Sequence, residues 1–220
     1  MINSEERPSL IVAITGASGS LLGLNLLKAL GNLSYFTYLI ISNWGFRVMR
    51  EEQGMFQGID LNPVGISDSM VLNGHVKDEI SRRFKLNGED FTCLGEMFLD
   101  AKISSGSARN IIGMAIAPCS MGTLSRIACG NSRNLIERAA DVMLKEKRKL
   151  VVCPRETPLN DIHLKNMLSL SRSGAVILPP VPGFYSRPKT IEDMMDFLTG
   201  KILDSMGIEN NLYLRWEGHE

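Results

Sequence analysis

Short, continuous apolar runs alternate along the chain with segments whose apolar positions recur every three or four residues. Ser9–Thr15 (SLIVAIT), Tyr35–Ser42 (YFTYLIIS), Asn110–Ser120 (NIIGMAIAPCS), LVVCP from Leu150 and AVILPP from Ala175 are the runs. Strands that are apolar on both faces belong inside a sheet covered by helices on each side. The first helix, LLGLNLLKAL, sets Leu22, Leu26, Ala29 and Leu30 at helical spacing, and WGFRVMREEQG forms a second that ends near Gly54. A short helix is predicted over His75–Lys85, and GTLSRIAC makes another, closed by Gly130. SRNLIERAADVMLKEKRK turns Leu135, Ala139, Val142 and Met143 to one side, LNDIHLKNMLSLSRSG stops at Gly174, and TIEDMMDFLTGKILDSMGI is capped by Thr190. The rest of Met55–Ala108 carries turn signals (NPVG, LNGED) and predicts no strand.

Strand and helix therefore alternate, with five predicted strands. The fold class is α/β, a doubly wound, mostly parallel sheet with helices on both faces. No linker or repeat divides the 220 residues, so one domain over 1–220 is expected. Ligands of such sheets bind at the carboxyl ends of the strands. Those ends read TGASGS, IISNW, APCSMGT, CPRETP and LPPVPGFY, all rich in polar, Gly or Pro residues.

Composition narrows the function. Twenty-four basic residues balance 24 acidic ones, which argues against a polyanion as the main partner, so no nucleic acid is expected. Cys93, Cys119, Cys129 and Cys153 form no C-x-x-C pair and His75, His163 and His219 show no ligand spacing, so four free thiols and no metal are expected. The N-terminus, MINSEERPSL, is polar and acidic, unlike a signal peptide, and no apolar run reaches the ~18 residues of a membrane span. A soluble, cytoplasmic protein is the expectation.

Chemistry concentrates in the strand ends. Gly16, Ser18 and Gly19 open the first helix, where free backbone N–H groups and a hydroxyl suit an anion; a tight turn is the plainer reading. Ser120 and Thr123 repeat that arrangement after the third run, and Ser120 is a candidate N-cap. Arg138 and Lys145 lie seven residues apart on one helical stripe, with Asp141 four before Lys145; a solvated charged face is the alternative. Tyr185 and Lys189 imitate the Tyr-x-x-x-Lys of short-chain dehydrogenases, but Pro188 takes them out of a helix, and that reading is rejected. PRETPLN is the unusual stretch: Arg155 and Glu156 end an apolar run between Pro154 and Pro158.

TGASGS, APCSMGTLSRIACG, NLIERAADVMLKEKRKLVVCPRETPL, IHLKNML, GAVILPPVPGFYSRP and DFLTGKILDSMGI together resemble the flavin prenyltransferases of the UbiX family over most of the chain, least between Met55 and Lys102. The resemblance implies a Rossmann-like flavoprotein fold and metal-independent transfer of a dimethylallyl group from dimethylallyl monophosphate to N5 and C6 of reduced FMN. It implies prenylated FMN as product, a UbiD-type decarboxylase as recipient, ubiquinone biosynthesis as one setting, and a homo-dodecamer. It places Gly16, Ala17, Ser18, Ser42, Ser120, Thr123 and Arg138 at FMN, and Lys145, Arg155, Glu156, Tyr185 and Lys201 around the prenyl phosphate. Ser18 and Glu52 would assist proton movement at N5, Trp216 would offer a π face to the prenyl group, and a tail over about 208–220 would reach a neighbouring subunit. Lys201 departs from the family's usual Arg, and Asn43-Trp44 has no reading in this frame. PRETPLN then makes sense: Arg155 grips phosphate with a fork of donors, and repulsion from that phosphate favours Glu156 as a protonated acid toward the leaving group. Two other readings stay open, a cysteinyl-peptide decarboxylase lacking the Lys145/Arg155/Tyr185 cluster and a flavin carrier needing neither Glu52 nor Glu156.

Overall fold

A computed structural model describes residues 7–59 and 72–216. Six strands form one parallel sheet: β1 (Ser9–Ile14), β2 (Phe36–Ile41), β3 (Phe91–Gly95), β4 (Ile111–Cys119), β5 (Lys149–Pro154) and β6 (Val176–Ile177), in the order β3-β2-β1-β4-β5-β6. The order reverses beside β1, so β1 and β4 lead their helices to opposite faces. Seven helices are described: α1 (Leu21–Asn32), α2 (Asn43–Gln53), α3 (Lys77–Phe84), α4 (Met121–Ala128), α5 (Leu135–Lys145), α6 (Asp161–Arg172) and α7 (Ile191–Met206).

The apolar runs are explained by two cores. Leu10, Val12 and Ile14 of β1 and Val151 and Cys153 of β5 pack under α1, α2 and α7. Their alternates, Ile11, Ala13, Leu150 and Val152, pack under α4 and α5. Successive side chains of a strand point to opposite faces, so a strand buried on both sides has no polar position to spare.

Two strand expectations are corrected. The stretch after Met55 does contain a strand, β3, which pairs with β2 from Thr37↔Phe91 to Ile41↔Gly95. It alternates buried Phe91, Cys93 and Gly95 with half-exposed Thr92 and Leu94, too short and mixed a pattern to stand out. AVILPP contributes only Val176 and Ile177, because Pro179 and Pro180 carry no N–H to continue a ladder. The short helix expected over His75–Lys85 is α3, preceded by one wide turn over Leu72–Val76.

The helix boundaries follow the caps. Thr190 caps α7 in a reciprocal box with Asp193, and Gly174 (φ +102°) and Gly130 (φ +69°) sit just past α6 and α4 in the left-handed region. Cys93, Cys119 and Cys153 are buried free thiols, and burial pushes Cys93 and Cys119 up to about 12. No described helix is long and apolar enough to cross a membrane. Among the described residues no cluster of His, Cys, Asp or Glu could hold a metal ion.

After α7 the chain turns at Gly207 and folds back. Ile208 and Asn210 are buried, and Asp204 of α7 receives hydrogen bonds from Tyr213 Oη at 2.6 Å, Asn210 at 2.9 Å and Arg215 at 2.8 Å. The described part of the tail, through residue 216, thus packs on its own last helix.

Candidate functional site

The carboxyl ends of β1, β2 and β4 each lead into a helix whose start is built from a small polar residue. Ser42 accepts the N–H of Gly45 at 3.0 Å and Ser120 accepts that of Thr123 at 3.4 Å, so both are N-caps. Buried Thr15 ties the ends of β1 and β4, donating to the carbonyl of Pro118 (2.9 Å) and accepting from the N–H of Ser120 (2.7 Å).

The turn after β1 is closed by a side chain from another helix. Ser20 makes no side-chain cap; Glu52, from the last turn of α2, takes that place. Its carboxylate accepts the N–H of Gly19 at 2.9 Å, the N–H of Ser20 at 3.0 Å and the Ser20 hydroxyl at 2.8 Å. Partial burial pushes the Glu52 carboxyl up, but hydrogen bonds from Ser18, Gly19 and Ser20 outweigh it and hold the group below its ordinary value. The backbone donors that suit an anion therefore hold the chain's own carboxylate. Gly16 has a packing reason as well: a Cβ there would come within 2.4 Å of Trp44 Cβ, so glycine lets α2 approach. Trp44 itself is 68% exposed, with Arg47 stacked 5.0 Å from its ring centre.

Arg155 joins this turn from β5. Its Nε donates to the carbonyl of Ser18 at 3.2 Å, and its N–H to that of Cys119 at 3.1 Å. Glu156 is exposed beside it and accepts the N–H of Thr157 at 3.0 Å. Gly16, Ala17, Ser18, Glu52 and Arg155 thus converge, with Ser120 one strand away.

A second group gathers around α7. Tyr185 meets Phe197 (5.8 Å) and Trp216 (6.0 Å) edge-on, and Lys201 Nζ lies 6.0 Å from the ring centre of Tyr213. Tyr185 lies in the single turn Phe184–Ser186 and Lys189 in the loop that follows, as expected from Pro188.

The side-chain hydrogen bonds of Arg138 and Lys145 lead to neither group. Arg138 donates to the carbonyl of Ser104 (3.1 Å) and pairs with Asp141 (2.9 Å), so Asp141 serves Arg138 and not Lys145. Lys145 pairs with Glu146 instead. Helix α5 starts where Leu135 N–H meets Glu96 O just past β3, and ends at Lys145, shortly before β5 begins. Its 11 residues span about 16 Å, so within one chain Lys145 lies at the amino edge of the sheet and Arg155 at the carboxyl edge.

The sequence also left Arg126, Glu137 and Glu96 unread. Glu137 is 1% exposed, accepting from Arg126 Nε and from the N–H of Arg133 at 2.8 Å. Glu96 accepts the N–H of Asn43 at 3.0 Å. Only the Asn134 cap before α5 hinted that this corner is polar.

The flavoprotein family model matches residues 2–203. A flavin prenyltransferase UbiX of Halalkalibacterium halodurans is 48% identical over 93% of this chain and 91% of its own length. The chain belongs to the UbiX family of flavin prenyltransferases. The mitochondrial flavin prenyltransferase PAD1 of Saccharomyces cerevisiae is 43% identical over 98% of this chain and 78% of its own. Among solved structures, AnUbiX (PadA1) in complex with FMN and dimethylallyl pyrophosphate superposes with a TM-score of 0.81, at 38% identity over 98% of this chain and all of that one. A dodecameric, FMN-dependent UbiX-like protein of Escherichia coli O157:H7 gives 0.78 at 38% identity, over 96% of this chain and all of that one. Cypemycin decarboxylase, at 13% identity and a TM-score of 0.54, shares the fold alone.

Proposed function

We propose that this chain transfers a dimethylallyl group from dimethylallyl monophosphate to reduced FMN, forming bonds at N5 and C6 and releasing phosphate. The observation that carries the reading is the convergence of Glu52 and Arg155 on the turn Gly16–Ser20. The donor set around it fits FMN: Ser42 and Thr123 lie at the strand ends on either side of β1, with the Ser120 hydroxyl donating to Thr123, where a phosphorylated, carbonyl-bearing ring system finds donors. Reduced FMN supplies the nucleophilic nitrogen and carbon; the chain's own residues hold, orient and move protons.

In this reading Glu52, fixed as a carboxylate by the turn, is a proton acceptor near Ser18. Arg155, with Nε committed to Ser18, offers its terminal nitrogens to the prenyl phosphate. Glu156 delivers a proton to the phosphate as the allylic C–O bond breaks. Tyr185 and Trp216, edge to face, supply π surface for the electron-poor prenyl group, and Lys201 adds a point charge where the family carries Arg.

Arg138 and Lys145 enter the same reading through assembly. A site that needs Lys145 beside Arg155 is completed by a neighbouring copy, which accords with the dodecamer of the E. coli relative. Leu164 and Leu168, one turn apart, leave α6 with an exposed apolar stripe suited to such packing. A tail over about 208–220 would reach a neighbour, its described part, 208–216, being anchored on α7. The product would serve a UbiD-type decarboxylase, with ubiquinone biosynthesis one setting, in the cytoplasm. Anaerobic mixing with reduced FMN and dimethylallyl monophosphate, followed by mass spectrometry of the extracted flavin, tests this. A five-carbon addition is expected, and unmodified FMN would overturn it.

A further inference from the structure

Arg126 is a cation held where a helix would repel one. It is the sixth residue of α4, yet its side chain folds back over the first turn, the positive end of the helix dipole. Nη1 lies over Gly122, where a Cβ would come within 3.4 Å of it, and Nη2 donates to Thr123 Oγ1 at 3.3 Å. Buried Glu137 makes this arrangement stable by taking Nε. Thr123 Oγ1 receives a second donor, the Ser120 hydroxyl, at 3.1 Å.

A hydroxyl has two acceptor positions and one proton. With Arg126 and Ser120 filling both acceptor positions, Thr123 keeps only its proton to offer. We propose that Arg126 is a positioning residue of the flavin site, making Thr123 an obligate donor to an acceptor oxygen of the ligand. This rests on the reading that Thr123 faces FMN. Thr123 is 4% exposed, so water has little access to correct a hydroxyl turned the wrong way there. Without Arg126, the Thr123 hydroxyl is free to rotate and accept, and a lone pair then faces the ligand oxygen. The oxygen belongs to the phosphate or to the ring carbonyls, and the two are separable by comparing FMN with riboflavin.

The test is a double-mutant cycle on flavin affinity with Arg126→Met, Thr123→Val and the pair, each checked for thermal midpoint. Arg126→Met is expected to weaken FMN about tenfold with Thr123 present, the upper range for one neutral hydrogen bond, and less than about twofold in the Thr123→Val background. Arg126→Lys, which keeps a donor, should recover part of the affinity. An effect of Arg126→Met that persists with riboflavin assigns a ring carbonyl; one that vanishes assigns the phosphate. Equal effects of Arg126→Met in both backgrounds, or none, overturn the proposal, even where thermal midpoints fall. Failure of the parent protein to prenylate FMN would sink the functional reading instead, and is measured separately.

Discussion

Glu52 shows how much a single side chain can carry. It closes the start of α1 from the end of α2, across 33 positions of sequence, and is thereby fixed in its charged form. An amide cannot replace it, because its NH2 would face the N–H groups of Gly19 and Ser20. Glu52→Gln is expected to lower prenyl transfer by ~10² or more and unfolding free energy by about 1 kcal/mol, the worth of a cap. Its folded carboxyl lies below the unfolded value, so its stabilisation is present above the ordinary Glu range and lost as pH falls through the folded value. Acid titration of the thermal midpoint should therefore be flatter in the Gln variant. Glu156→Gln should keep FMN bound while turnover falls ~10²–10⁴-fold; near-normal turnover by single-turnover flavin analysis would remove Glu156 from the proton path. Arg155 and Glu156 were legible because two prolines and an apolar run frame them. The partners of Glu52 were not, since its reach depends on how α2 packs.

At the level of elements, the helix starts and the long buried runs were readable from local chemistry. Ser120 and Thr190 cap where their sequence context says, and β1, β2, β4 and β5 need only continuous apolar runs. What escaped was pairwise: β3 exists because β2 offers it an edge, and the role of Gly16 because Trp44 crosses above it. Gly16→Ala should drive α2 off the first turn, weakening FMN at least tenfold by titration while the rest of the sheet persists by circular dichroism. Thr190→Ala, which removes the hydroxyl accepting Asp193 N–H at 3.0 Å, should cost about 1 kcal/mol in urea unfolding. Glu96 links α2 to α5, its side chain accepting the N–H of Asn43 and its carbonyl that of Leu135. Burial pushes its carboxyl up, opposed by the Asn43 N–H, while Glu137 adds to the rise and Arg126 opposes it. A raised carboxyl favours the folded state when protonated, and that advantage is lost as pH rises through its folded value. Glu96→Gln should therefore match or exceed the parent's thermal midpoint at pH 8, with the difference shrinking toward pH 4.

For the molecule as a whole, the separation of Lys145 and Arg155 on opposite edges of the sheet turns assembly into a chemical question. Inactive Lys145→Ala and Arg155→Ala chains, co-assembled in equal amounts, should regain about a quarter of parental activity if each site draws on two copies. No recovery in verified mixed assemblies would return Lys145 to a solvent-facing role. The abrupt end of β6 has a different consequence. A parallel sheet that is not closed into a barrel exposes unpaired backbone along its outermost strand, the template on which chains add to one another in aggregates. Here that strand offers two residues before Pro179 and Pro180 intervene. Replacing both prolines with Val and Thr should lengthen the strand and raise light scattering on heating. The prolines that shorten the last apolar run thus keep this border of the sheet closed to strangers.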